Sequence, residues 1–368
     1  RGHPRLRRSM SRRLASNVAA STSAAHARAS LKAGDFEPPR WLRNPHVQSV
    51  LASSGVRRLL HGSRLAALER CASEHLLDCG QGVRLLGVHT PQQRLPRARG
   101  LVVLLHGWEG SVQSSYLLHT GSRLLAEGFD VFRLNFRDHG ETHHLNAQLF
   151  HSCRIDEVVG AVRAISRKHE RLPLAIAGFS LGGNFALRVA LRAEAVGIPL
   201  RYALAVCPAI SPADAMNAIE RAPWFYEAYF LRKWRRSLAR KQRAFPQPEL
   251  FSAEDLRGNL REMTRAMVLR HTDFASLDAY FDGYCVAGDR LASLRVPTTI
   301  LTAEDDPVIP VAQFRALQLP DCVELDIAPT GGHCGFIRDL SLRSWTEDYI
   351  AERMRQWLAQ DDDRLRSE

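Results

Sequence analysis

Leu174-Ala175-Ile176-Ala177-Gly178-Phe179-Ser180-Leu181-Gly182-Gly183-Asn184 joins a short apolar run to a helix-length segment that continues to Ala195. The run, Leu174 to Phe179, has the character of a strand buried on both faces. Between strand and helix lies the pattern Gly-x-Ser-x-Gly, residues 178 to 182. A serine there occupies a sharp strand-to-helix turn. The flanking glycines remove Cβ atoms that would clash, and the hydroxyl stands exposed at the C-terminal edge of a sheet. The helix N-terminus behind it adds unpaired N–H groups and positive potential, which favour a developing anion. Glycine and serine are common in loops, so the five letters alone say little; their place between strand and helix marks Ser180 as a nucleophile rather than a structural turn.

The same alternation extends to both sides. Upstream, Leu76 to Thr90, broken by Gly80 and Gly82, reads as an antiparallel hairpin, and Leu101 to Leu105 as a buried strand ending at His106-Gly107. A helix from Ser115 to Glu127 is stopped by Gly128, and Val131 to Phe136 is the next strand. The helix Ile155 to Lys168 repeats Val158, Val159, Val162 and Ile165 at helical spacing. Downstream, Tyr202 to Cys207 is a strand, and the alternation then stops from Ser211 to Arg290, a stretch of charges, aromatics and helix formers. It resumes with the strand Thr298 to Thr302, a helix over Ala312 to Leu317, the strand Val323 to Ile327 and a closing helix from Leu342 to Ala359. The expectation is an α/β protein: a mostly parallel sheet with helices on both faces and a helical cap inserted at about 211–290. A disordered basic leader, 1–34, precedes one domain, 35–368.

A serine hydroxyl is a weak nucleophile at neutral pH, so a histidine must take its proton and an acid must orient that histidine. His333, in Gly331-Gly332-His333, directly follows the last strand, where a loop over the sheet edge delivers an imidazole to Ser180. Glu304, Asp305 and Asp306 are adjacent after the strand Thr298 to Thr302, and adjacent carboxylates point in different directions. Asp306 is preferred to Asp305 because Pro307 and Pro310 fix the turn that follows it. Two N–H donors for an oxyanion are expected from the backbone of Leu181, the residue after the nucleophile, and of Trp108, in His106-Gly107-Trp108-Glu109-Gly110. His139, His143, His144 and His151 cluster in sequence but match no metal-ligand spacing and read as surface or hydrogen-bonding residues. The chemistry needs neither metal nor cofactor.

Composition sets bounds on the rest. Apolar residues make up 45% and charged residues 24%, as in an ordinary globular protein. Of the formal charge of +11, eight positive charges lie in residues 1–34, which contain no Asp or Glu, so the remainder is close to neutral and gives no call for a nucleic-acid partner. That Arg- and Ser-rich start lacks the apolar core of a secretory signal; it reads as an organellar transit peptide or as a start placed ahead of Met10, the second being preferred. Seven cysteines with no Cys-x-x-Cys pair fit neither a disulfide framework nor a zinc site. Cys334, next to His333, reads as packing, and the expected compartment is the cytoplasm.

Four segments resemble the AB hydrolase 4 family, the YheT-type or embryogenesis-associated esterases of the α/β-hydrolase superfamily. They are Pro39-Arg40-Trp41-Leu42-Arg43-Asn44-Pro45-His46-Val47-Gln48, His106 to Ser111, Gly178 to Asn184, and Asp305-Asp306-Pro307 with Gly331 to Phe336. The first is the most specific, because α/β hydrolases in general have no reason to carry it ahead of the sheet. The resemblance implies the α/β-hydrolase fold, a triad of Ser180, Asp306 and His333, and ester hydrolysis, with some relatives acting on lipid esters. Trp108 stands where the family usually has Leu, Ser115 where it has Pro and Ser49 where it has Thr; all three changes are expected at the pocket entrance.

In the cap, Trp224, Phe225, Tyr226, Tyr229, Phe230 and Trp234 precede a basic run of Arg232, Lys233, Arg235, Arg236, Arg240, Lys241 and Arg243. Leu231, Trp234 and Leu238 share one helical face, with most basic residues around the other. The aromatics either line an acyl pocket or pack the cap on the core; the basic face is either solvated or makes a weak contact with an anionic membrane surface. Three functions are in play: hydrolysis of a small-molecule ester or lipid ester, acyl transfer from the same acyl-enzyme to an alcohol, and a basic nucleic-acid or membrane-binding module. The first accounts for the serine constellation. The third does not.

Overall fold

The computed structural model describes residues 31–246 and 249–367. Most of the basic leader, residues 1–30, lies outside the described residues. At its far end Ala33 is already buried, and its N–H donates to Asp326 Oδ2 at 2.9 Å.

Eight strands form one sheet: β1 (Ser73–Asp78), β2 (Arg84–Thr90), β3 (Leu101–Leu105), β4 (Asp130–Leu134), β5 (Leu174–Phe179), β6 (Leu200–Val206), β7 (Thr298–Ala303) and β8 (Val323–Ala328). Their order is β1-β2-β4-β3-β5-β6-β7-β8. β1 pairs antiparallel with β2, and β2 with β4; all other pairs are parallel. The chain thus steps from β3 outward to β4, then returns to the other side of β3 for β5. In open α/β sheets the crevice at such a reversal, beyond the C-terminal strand ends, is where ligands bind.

The helices follow from the period-2 geometry of the strands. Leu101, Val103 and Leu105 of β3 share a buried cluster with Val158, Val162 and Ile165 of one helix (Ile155–Lys168) and with Phe185 and Val189 of another (Leu181–Arg192). On the opposite face, Gly121 of the helix Ser115–Ala126 brings its backbone against Val131, where a Cβ would stand 3.4 Å from the valine methyl.

In chain order the helices of four residues or more are α1 (Pro45–Ser53), α2 (Val56–Leu60), α3 (Gly62–Arg70), α4 (Ser115–Ala126), α5 (Ile155–Lys168), α6 (Leu181–Arg192), α7 (Pro212–Arg221), α8 (Phe225–Ala244), α9 (Leu260–His271), α10 (Leu277–Asp282), α11 (Val311–Arg315) and α12 (Trp345–Ser367). No helix among the described residues is long and apolar enough to cross a membrane.

Strands and helices expected from the sequence are present, with shifted ends. The last helix starts at Trp345, not Leu342, because Leu342 has φ +56°, outside the helical region. The three helices ahead of β1 had no expectation. α1 carries its own start signal: Asn44 Oδ1 accepts from the N–H groups of His46 (2.9 Å) and Val47 (3.2 Å), and Pro45 occupies the first helical position. Between β6 and β7 the chain is helical, α7 to α10 forming the cap. Asn184 of α6 ties the cap to the core, donating to Ala209 O at its entry and Tyr284 O at its exit, both at 2.8 Å.

The basic run on α8 is a solvated face only in part. Lys241 is fully buried, pairing with Asp138 at 2.8 Å and donating to the carbonyls of Asn146 and Gln148. Lys233 donates to Glu109 O, Arg235 to Gly258 O, and Arg240 pairs with Glu141. Arg232, Arg236, Arg240 and Arg243 are exposed.

Candidate active site

Loops leaving β3, β5, β7 and β8 converge at the C-terminal edge of the sheet. Ser180 follows β5 with φ +53° and ψ −119°, a backbone strain of roughly 1–3 kcal/mol for a residue with a side chain. Neither flanking glycine tolerates a Cβ: one on Gly178 would lie 2.1 Å from Gly182 O, and one on Gly182 2.5 Å from the carbonyls of Leu105 and His106. The serine N–H donates to Val206 O at 2.9 Å, and its own carbonyl accepts from Asn184 N–H at 3.0 Å. The hydroxyl is thereby held clear of the sheet.

His333 follows β8. Its Nε2 lies 2.8 Å from Ser180 Oγ, and its Nδ1 lies 2.9 Å from Asp306 Oδ2. The three neighbouring carboxylates divide as side-chain direction requires. The Asp306 side chain is fully buried, and its other oxygen accepts from Val308 N–H (2.8 Å) and Ile309 N–H (3.0 Å) in the turn of Pro307 to Pro310. Asp305 Oδ1 accepts from Gly332 N–H at 2.8 Å, and Glu304 is exposed and pairs with Arg315. Burial works against a charged His333. The Asp306 carboxylate, the Cys334 sulfur and the hydrogen bond to Asp306 outweigh it and raise the imidazole to about 9.

The segment around α1, which the sequence reading singled out without a structural role, braces the histidine loop. Buried Gln48 donates to the carbonyls of Leu42 (2.8 Å) and Ile337 (3.0 Å) and accepts from Ile337 N–H. Ser49 Oγ accepts from the N–H of His333 at 2.8 Å and donates to Pro45 O at 2.7 Å. Ser49 therefore positions the histidine backbone and does not line the pocket entrance expected for it. Contact is close enough that a Cβ on Gly332, at φ +58°, would stand 2.3 Å from Pro45 O. The signal in the sequence was the Asn-Pro helix start followed by two adjacent polar residues, Gln48 and Ser49.

A cavity of about 470 Å³ opens over Ser180 and is lined by Trp108, Leu181 and His333, with Met216, Ile219, Tyr229, Phe230, Trp234 and Met267 from the cap. Half of the cap aromatics singled out from the sequence thus reach it; Trp224 is exposed, and Tyr226 bonds His46 Nδ1 through its hydroxyl at 3.1 Å. Trp108 stacks on Phe230 and meets Trp234 edge-on, both with ring centres 5.4 Å apart. The backbone N–H groups of Trp108 and Leu181 form no hydrogen bond among the described residues, and both residues border Ser180 at the cavity floor. Ser115 also lines the wall.

Two acid–base groups of the wall are kept uncharged at neutral pH. Burial, partly offset by Lys233, pushes the Glu109 carboxyl up to about 8, and burial with nearby arginines lowers His151 to about 3. The other histidines of the sequence cluster are dispersed: His139 accepts from Glu109 N–H, and His143 bonds Ser237 Oγ at 2.8 Å.

A model of the alpha/beta hydrolase family matches residues 102–341. Over 335 residues the chain is 28% identical to "Putative esterase YheT" of Escherichia coli (strain K12), covering 88% of this chain and 94% of that protein. It is 23% identical over 362 residues to "Putative esterase slr0264" of Synechocystis, with the same shares of each covered. Among solved structures, the esterase Pf2001 of Pyrococcus furiosus is similar in fold, with a TM-score of 0.51 at 16% identity over 78% of this chain and 93% of that one. The eight-stranded sheet order and the extent of the family match lead to one conclusion: the chain belongs to the alpha/beta hydrolase family.

Proposed function

We propose that this protein hydrolyses carboxylic esters through an acyl-enzyme on Ser180. The observation that carries the reading is the unbroken hydrogen-bonded run Asp306–His333–Ser180 at the strand ends. In it, His333 Nε2 takes the hydroxyl proton as Ser180 Oγ attacks the ester carbonyl, and returns it to the leaving alkoxide. Asp306 fixes the tautomer and supports the imidazolium. The free N–H groups of Leu181 and Trp108 receive the oxyanion, each contributing ~3 kcal/mol to the transition state. Water, activated by His333, then releases the acid. Because the cap side of the cavity is mostly apolar, and Glu109 and His151 on the opposite wall are uncharged at neutral pH, the substrate class is an ester with an apolar acyl chain, lipid esters included. In this reading residues 35–368 form one catalytic domain, and the insertion at about 211–290 sets which acyl group fits.

The test is a p-nitrophenyl ester series of increasing chain length, run on the wild type and Ser180→Ala with alcohol and free acid both followed. Equal yields of the two from the wild type, and a loss of ~10³-fold or more in Ser180→Ala, are expected. Full activity in Ser180→Ala overturns the assignment.

A further inference from the structure

Behind the Ser180–His333 pair lie two thiols that no step of the proposed reaction uses. Cys207 directly follows β6, and Cys334 directly follows His333. Both hold a left-handed backbone, with φ +43° and +56°, a conformation that persists in residues with side chains only where the surroundings enforce it. That backbone turns the two side chains toward each other. Cys334 N–H donates to Cys207 Sγ at 3.4 Å, and the Cys207 and Cys334 thiols reach Gly332 O at 3.9 Å and Val206 O at 3.7 Å, long contacts that hold them weakly. Both sulfurs and a ring nitrogen of His333 lie within 4.8 Å of one another. Cys334 and His333 line the cavity, and Cys207 sits fully buried behind them, so an ion entering from the cavity meets two donors at once.

We propose that Cys207, Cys334 and His333 form a binding site for a soft divalent cation of the zinc class, and that its occupancy draws the His333 ring away from Ser180 and stops hydrolysis. Two sulfurs and one imidazole select zinc or cadmium over magnesium or calcium, which take oxygen ligands. With Zn–S near ~2.3 Å and Zn–N near ~2.0 Å, donors on a tetrahedral ion stand roughly 3.5–3.8 Å apart, so the trio closes by about 1.3 Å at most. Three protein ligands leave the fourth position to water in the cavity. Binding releases the two thiol protons, and any proton on the ligating imidazole nitrogen, to solvent.

The inhibitory half of this inference rests on the role given to His333; the binding half does not. Wild type, Cys207→Ala and Cys334→Ala are therefore titrated with Cd²⁺ while the ultraviolet thiolate-to-metal charge-transfer band is followed. In parallel, ester hydrolysis is measured with Zn²⁺ added and then removed by EDTA. The expected result is a saturating band at one ion per chain in the wild type, with hydrolysis lost on Zn²⁺ and restored by EDTA. Cys207→Ala, whose side chain does not face the cavity, keeps metal-free hydrolysis and loses both the band and the inhibition; Cys334→Ala loses the band as well. A band and an inhibition that persist in both variants, or a wild type that gives neither, overturn the site. If the wild type turns over no ester, the hydrolase reading fails, while the band and its loss in the two variants still decide the site.

Discussion

At the C-terminal edge of the sheet, backbone geometry fixes the groups proposed to react; in the cap, side chains do the equivalent work. Ser180 lies between Gly178 and Gly182, and His333 between Gly332 and Gly335, positions where a Cβ would run into main-chain atoms. By contrast, α7 to α10 are joined to the core by Asn184 and by Lys241, whose ammonium gathers Asp138 and the carbonyls of the loop before α5. Main-chain constraints leave few substitutions open, so the chemistry is built rigidly. Side-chain constraints can be exchanged one at a time, which suits the acyl selection proposed for the cap.

The comparison breaks if the edge tolerates change as well as the cap does. Asp306→Asn keeps the shape of the carboxylate but favours the wrong histidine tautomer, and kcat is expected to fall ~10⁴-fold. Asp305→Asn still offers an oxygen to Gly332 N–H and retains activity. Equal losses in the two variants would remove the distinction between them. On the cap side, Lys241→Met leaves Asp138 buried without its cation, at a cost of ~3–5 kcal/mol in unfolding free energy by chemical denaturation. Burial already raises the Asp138 carboxyl. Without Lys241 the charged form is penalised further, so the deficit is full at neutral pH and shrinks as acid protonates the group. A deficit independent of pH would place the cost elsewhere than in the charge.

The edge was also the more legible region. Strand-length apolar runs, glycines at fixed offsets and proline-set turns are local signals, and they located Ser180, Asp306 and His333 where one hydrogen-bonded run now joins them. What escaped is non-local. Gln48 and Ser49 act on residues nearly 300 positions away, and no periodicity within α1 reports that contact. Lys241 carried the opposite message, since a lysine in a basic run reads as solvated unless the loop that folds over it is known. Cys207 and Cys334 are 127 positions apart and meet only because β6 and the loop after β8 end at the same edge.

A smaller effect sharpens the electrostatic side of the edge. With His333 raised to about 9, its neutral, proton-accepting form grows as pH rises, so kcat/KM should climb through an alkaline limb. The Cys334 sulfur is one of the groups holding the imidazolium, so Cys334→Ala should move that limb to lower pH. An unmoved limb would mean that Asp306 alone sets it, and an upward shift would contradict the role given to the Cys334 sulfur.

The smallest expected effect belongs to the cap wall. Phe230 stacks on Trp108 directly above the floor of the cavity, and Phe230→Ala opens that space without touching the hydrogen bonds of His333 or the amides of Leu181 and Trp108. A hydrophobic pocket discriminates by ~1–3 kcal/mol per methylene-sized group. The ratio of kcat/KM for a longer acyl chain over a short one should therefore rise by roughly 10-fold, with kcat on the shortest ester unchanged. If kcat on the shortest ester collapses as well, the aromatic stack holds the Trp108 amide in place. The cap would then belong to the chemistry and not only to the choice of substrate, because the loop after β3 would owe its position to a side chain on α8.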